Sequence, residues 1–193
     1  MSDITDYEAQ QIEEANASEL TPVVFIHGLW LLPSSWDRWR PVFEEAGYAT
    51  LAPGWPDDPS TVEDANKHPE VLAHKSVGQI ADHFGDVIGK LTNKPALIGH
   101  SFGGLITQIL LDRGLGAAGV GIDSAPPKGV LKLPFSALRV ASAALRNPTN
   151  KNKAVALTPK QFHYAFGNTL TEKDSQSVYE RYAIPGPGRP LSP

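Results

Sequence analysis

The chain has 193 residues, 41% of them hydrophobic, with 17 Lys and Arg against 21 Asp and Glu and no cysteine. That length and apolar content suffice for one substantial core with a small appended layer. The net charge of -4 argues against nucleic acid as the main partner, and the lack of cysteine excludes disulfides and thiolate zinc sites and fits a reducing compartment.

The first 20 residues contain Asp3, Asp6, Glu8, Glu13, Glu14 and Glu19 and no Lys or Arg, the reverse of a signal or transit peptide. No apolar run reaches the length of a membrane span, so a cytoplasmic protein with no membrane partner is expected. Pro22-Val23-Val24-Phe25-Ile26 reads as a buried parallel strand that ends in His27-Gly28. A helical stretch is predicted near 34–46, where Trp36, Trp39, Val42 and Phe43 fall at helix spacing and Pro41 kinks or restarts it. A second strand is predicted at 49–52, followed by a rigid loop, Pro53-Gly54-Trp55-Pro56-Asp57-Asp58-Pro59. A helix over 77–91 places Ile80, Phe84, Val87, Ile88 and Leu91 on one face, and 94–98 is a third strand. A further helix runs to about Arg113, and 117–122 is a fourth strand diluted by two glycines. This alternation without hairpin signals predicts an α/β fold, a parallel sheet flanked by helices, and right-handed crossovers order its strands second, first, third, fourth.

From Ala125-Pro126-Pro127 the character changes. Helices are predicted at 135–146, 158–168 and 171–182 with no strand between them, and 185–193 reads as an extended tail without helix or strand pattern. Residues 1–127 carry 18 acidic and 7 basic side chains, whereas 128–193 carry 3 and 10. That asymmetry fits either mutual attraction of the two parts and solvated basic faces, or a basic lid that steers an anionic substrate.

The most informative motif is Gly99-His100-Ser101-Phe102-Gly103-Gly104, between the apolar run Pro95-Ala96-Leu97-Ile98 and the helical Leu105-Ile106-Thr107-Gln108-Ile109-Leu110-Leu111. A strand turning abruptly into a helix around one serine is the context of a nucleophile elbow, in which flanking glycines allow close packing and the hydroxyl stands at the sheet rim. The turn at His27-Gly28 is placed to aim a backbone N–H at that serine.

On these residues, Phe25-Ile26-His27-Gly28-Leu29-Trp30 with Gly99-His100-Ser101-Phe102-Gly103-Gly104, the chain resembles the α/β-hydrolase superfamily over roughly 20–125. Ser34-Ser35-Trp36-Asp37-Arg38-Trp39 is similar to its cofactor-free haloperoxidase, esterase and hydroxynitrile-lyase branches. The residues mark an acidic N-terminal leader at 1–20 and the tail at 185–193, and the resemblance implies a hydrolase core at 21–127 and a helical cap segment at 128–184. Within that cap, Leu138, Val140, Phe162, Tyr164 and Phe166 either line a pocket or pack.

Serine attack needs a base, a carboxylate to orient it, and oxyanion donors. Ser101 is the expected nucleophile, the N–H groups of Leu29 and Phe102 the expected oxyanion donors, and Asp123, at the end of the fourth strand, the candidate acid. The resemblance implies the chain order nucleophile, acid, histidine, yet only His163 follows Ser101, within a predicted helix. His100 is expected to pack beneath the elbow and His27 to be structural, while His68, His74 and His83 match no motif. The missing base and an unguarded edge strand at 117–122, open to self-association, lead to the expectation of a fragment or truncated product. No H-E-x-x-H or comparable spacing is present, so neither metal nor cofactor is expected. The leading expectation is hydrolysis of a small ester or related carbonyl compound through a serine nucleophile and acyl-enzyme, with a chain that is inactive as it stands if no catalytic histidine completes the site. The alternatives are a non-catalytic small-ligand-binding member of the fold, or a cofactor-free peroxidase or lyase.

Overall fold

The computed structural model describes residues 3–127, 129–130, 139–140, 142 and 147–191. By contact these fall into two units that interleave along the chain: Met1–Leu29, Pro33–Pro56 and Val77–Ala125 form the first, and Trp30–Leu32, Asp57–Ser76 and Pro126–Pro193 the second.

The first unit is built on four parallel strands, β1 (Thr21–Ile26), β2 (Tyr48–Leu51), β3 (Ala96–His100) and β4 (Ala118–Ile122), in the order β2-β1-β3-β4. This is the order that right-handed crossovers dictate. β1 is central and buried over five of its six residues, as its unbroken apolar run requires when both faces are covered. Val23, Phe25, Trp36, Ala52 and Ile98 make one core cluster, with Phe25 against Trp36 at 4.9 Å. The register pairs Ile26 with Gly99 and Gly99 with Gly121, so three strands end on one rim. β4 borders the described sheet, and Val120 on it is 52% exposed.

Helix α4 (Val77–Ile88) buries Ile80, Ala81, Phe84, Val87 and Ile88 along one face, as expected, but stops three residues short of Leu91. Gly89 and two closing turns, Lys90 N–H to Val87 O and Leu91 N–H to Ile88 O, end it. The helix expected over 34–46 is instead a 3-10 turn at Pro33–Trp36 followed by the short α2 (Arg40–Glu45). Pro41 sits in the first turn of α2, where its missing N–H costs nothing. Nor does the expected apolar face hold, because Trp36 is buried and Phe43 packs on Phe25, whereas Trp39 is 46% and Val42 63% exposed.

The acidic start holds an element that hydrophobic spacing does not reveal. Helix α1 (Asp6–Ser18) opens with a capping box between Thr5 and Glu8. It buries few apolar side chains, and hydrogen bonds hold it to the rest of the unit. Gln11 Oε1 accepts from the Ala52 N–H at 2.7 Å, and Asn16 bonds both Lys90 O and the Thr92 N–H at 2.9 Å. Glu8 Oε1 meets His83 Nε2 of α4 at 2.8 Å, with both side chains buried.

The second unit contains α3 (Val62–Lys67) and the helices Pro159–Phe166 and Glu172–Tyr182, the last two close to the predicted spans. Leu32, Ala65, Leu72 and Ile184 form its core cluster. Phe162 stacks on Phe166 at 4.8 Å and meets Tyr179 at 5.4 Å, so the Phe162 and Phe166 rings pack on their own unit. The helix predicted over 135–146 lies largely outside the described residues, as does Leu138. The tail is not irregular: Gly186–Pro187 pairs antiparallel with Ala154–Val155, Gly188 N–H donates to Lys153 O at 2.9 Å, and a 3-10 turn follows at Arg189–Leu191. Proline is tolerated at 187 because the ladder bond falls at Gly188, and the alternate position opposite Ala154 needs no N–H donor. Among the described residues no helix is long and apolar enough to cross a membrane.

Burial pushes the Glu8 carboxyl up, but bonds from His83 and Thr5 outweigh it and hold the carboxyl below its ordinary value. A lowered carboxyl stabilises the fold at neutral pH and loses that contribution as pH falls through the lowered value. Glu8→Gln is expected to cost about 1–3 kcal/mol at neutral pH. Thermal melts across the acid range below the ordinary carboxylate value should show the gap between wild type and variant closing as pH falls.

Candidate functional site

Ser101 occupies the single residue between β3 and helix α5 (Phe102–Asp112), with φ 55 and ψ -118. A positive φ in a non-glycine residue is strained, and four backbone hydrogen bonds hold it. Ser101 N–H donates to Ile122 O at 2.9 Å, while its carbonyl accepts from Gly104 N–H at 3.0 Å, Leu105 N–H at 3.3 Å and Ala125 N–H at 2.8 Å. The bend 122–125 that follows β4 therefore grips the serine peptide from both sides. Glycine is required around it: a side chain on Gly103 would collide with the Ile26 carbonyl, and one on Gly99 with the Gly103 carbonyl. Ser101 stands at the N-cap of α5 without using its hydroxyl to cap it, and among the described residues its Oγ makes no hydrogen bond.

The turn after β1 lies directly against this serine. A Cβ on Gly28 would sit 2.9 Å from both Ser101 Cβ and the His100 carbonyl. Leu29 follows at once and is buried, and Phe102 opens α5, where the first N–H groups have no partner within the helix. The helix N-terminus also carries positive partial charge, suited to a developing oxyanion. Ser101, Phe102 and the Gly28–Leu29 turn are thus neighbours.

Asp123 is exposed on the same rim, at φ 44 in the bend that grips Ser101. His100 is half-buried, and its Nδ1 would be 3.3 Å from a Cβ on Gly28, which places the ring beside the glycine turn. Burial pushes the His100 pKa down and nearby His27 adds to this, while Asp123 opposes it. The net effect favours neutral imidazole. His27 is buried, donates from Nδ1 to Gly28 O at 3.0 Å, and stacks on Trp55 with ring centroids 5.1 Å apart. His163 lies on the helix Pro159–Phe166 of the second unit, and its Nδ1 is buried with no hydrogen-bond partner among the described residues. No described side chain hydrogen-bonds Ser101 Oγ, and none completes a Ser-His-Asp chain by contact.

Two contributors have no sequence signal of their own. Trp55 sits in a proline-rich loop that reads only as a turn. Ser124 fills the notch left by Gly104 and Gly121, where a Cβ on either glycine would meet its hydroxyl.

A family model described as "Alpha/beta hydrolase family" matches residues 23–191. Among solved structures, an extracellular alpha/beta-hydrolase from a Paenibacillus species, described as sharing structural and functional homology with tobacco salicylic acid binding protein 2, matches with a TM-score of 0.69. It is 24% identical, over 90% of this chain and 69% of that one. A methylesterase from Arabidopsis matches with a TM-score of 0.61 at 15% identity, over 89% of this chain and 69% of that one. Polyneuridine aldehyde esterase matches with a TM-score of 0.56 at 18% identity, over 87% and 69%. At these identities the likeness is one of fold. No curated protein matches the sequence.

Gly28→Ala is expected to destabilise by about 1–3 kcal/mol through overpacking against the elbow backbone. Gly85→Ala, whose new Cβ meets Leu115 Cδ1 at an ordinary 3.5 Å and Arg113 Nη1 at 4.0 Å, should melt no lower than wild type. Thermal unfolding of the two variants side by side checks the difference.

Proposed function

Because the chain belongs to the alpha/beta hydrolase family, we propose that it cleaves a small carboxylic ester, or a related carbonyl compound, through an acyl-enzyme on Ser101. The observation that carries this reading is the strained serine at φ 55 between β3 and α5, with its hydroxyl uncommitted among the described residues and Gly28 packed against it. In the proposed reaction Ser101 Oγ attacks the carbonyl carbon and loses its proton to a base. The tetrahedral oxyanion rests on the N–H groups of Leu29 and Phe102, the alkoxide leaves with a proton, and water then releases the acid. Such donors are each worth about 2.7–4 kcal/mol in the transition state, and being backbone groups they respond to substitution only through movement of the chain. Asp123 is assigned the carboxylate role, because it stands on the strand-end rim in the bend that holds Ser101.

A fluorophosphonate probe tests the assignment. Wild-type protein should gain one adduct, located by mass spectrometry on the peptide containing Ser101, and Ser101→Ala should gain none. Hydrolysis of p-nitrophenyl acetate should fall by roughly a thousandfold or more in that variant. Wild-type protein that remains unlabelled and does not turn over the ester would overturn the nucleophile role.

A further inference from the structure

We infer that Trp55 is a positioning residue for the oxyanion site, acting through the His27 ring on the Gly28–Leu29 peptide. This rests on the serine-hydrolase reading. A trans peptide is planar, with its C=O and N–H pointing in opposite directions, so whatever fixes the Gly28 carbonyl also fixes the Leu29 N–H. Glycine at 28 leaves that plane free to rotate, and the sequence there sets no preferred orientation. The structure supplies one: His27 Nδ1 donates to Gly28 O at 3.0 Å. A carbonyl only accepts, so the Nδ1 proton is fixed by this bond.

The ring that makes the bond is itself held by a face. Trp55 stacks on it at 21° with centroids 5.1 Å apart, and both side chains are buried. Trp55 lies between Pro53 and Pro56, which restrict the loop, and the loop starts at Ala52, whose N–H is tied to Gln11 Oε1 of α1 at 2.7 Å. An imidazole without the indole face would turn about its χ angles and release the Gly28 carbonyl. The peptide could then flip, carrying the Leu29 N–H away from the place where negative charge develops.

The test compares Trp55→Leu, which removes the face, with Trp55→Phe, which keeps one, and His27→Ala with His27→Asn, which retains a side-chain N–H. For p-nitrophenyl acetate, Trp55→Leu and His27→Ala are expected to lower kcat by about tenfold to a hundredfold with KM within twofold, and the two conservative variants to recover most of the loss. Amide hydrogen exchange by NMR gives a readout independent of turnover: the Leu29 amide should exchange faster in Trp55→Leu while Leu97 in β3 is unchanged. If wild type shows neither turnover nor labelling, the serine reading fails and the Leu29 exchange alone decides the positioning. Leu29 exchange equal to wild type in both Trp55→Leu and His27→Ala, or a KM effect without a kcat effect, would overturn the inference.

Discussion

Two strand ends and one helix start meet backbone to backbone around Ser101, and this close approach governs the rest of the first unit. It is possible only because Gly28, Gly99 and Gly103 carry no side chains where Ile26, His100 and Gly103 present their carbonyls. The serine pays for the tight junction with a positive φ, a strain of about 1–3 kcal/mol. The bonds from its N–H and carbonyl to Ile122, Gly104, Leu105 and Ala125 contribute about 0.5–1.5 kcal/mol each, a sum of the same order as the strain, and two of the four come from Ile122 and Ala125 around the bend after β4.

Away from the elbow, the first unit uses buried polar side chains where apolar ones would be the simpler choice. Glu8 on His83, Gln11 on the Ala52 amide and His27 on the Gly28 carbonyl each satisfy a donor and an acceptor in a low-dielectric setting. Such bonds are directional, and an unmatched partner is costly, so each fixes one arrangement more narrowly than apolar contact does. α1 depends on them most, since only Ile12 and Ala15 give it apolar burial.

Membership of the alpha/beta hydrolase family does not choose a reaction, since one fold carries many chemistries. The local features on which the proposed reaction rests are the strained Ser101, the start of α5 and the Gly28–Leu29 turn beside it, and Asp123 on the same rim. Their elements follow three neighbouring strands of one sheet, β1, β3 and β4, whose register brings Ile26 level with Gly99 and Gly121. Glycine at two of those levels, Gly99 and Gly121, leaves room for Gly103 and Ser124 to pack close.

The strands, their order and the elbow are legible in the amino-acid order, because buried parallel strands appear as apolar runs, crossovers have one hand, and Gly-x-Ser-x-Gly needs only its neighbours to define a turn. α1 and the ribbon at Gly186–Pro187 escape such a reading. The first is held by polar bonds to distant residues, and the second forms only when Ala154–Val155 arrives to pair with it. The six histidines make the same division plain. Local sequence places each one, but the role of each is set by what the fold brings to it: Glu8 to His83, Trp55 to His27, Asp123 to the surroundings of His100. Turn and strand geometry are settled by adjacent residues through steric exclusion, whereas tautomer, charge and ring orientation depend on burial and partners that only tertiary packing supplies.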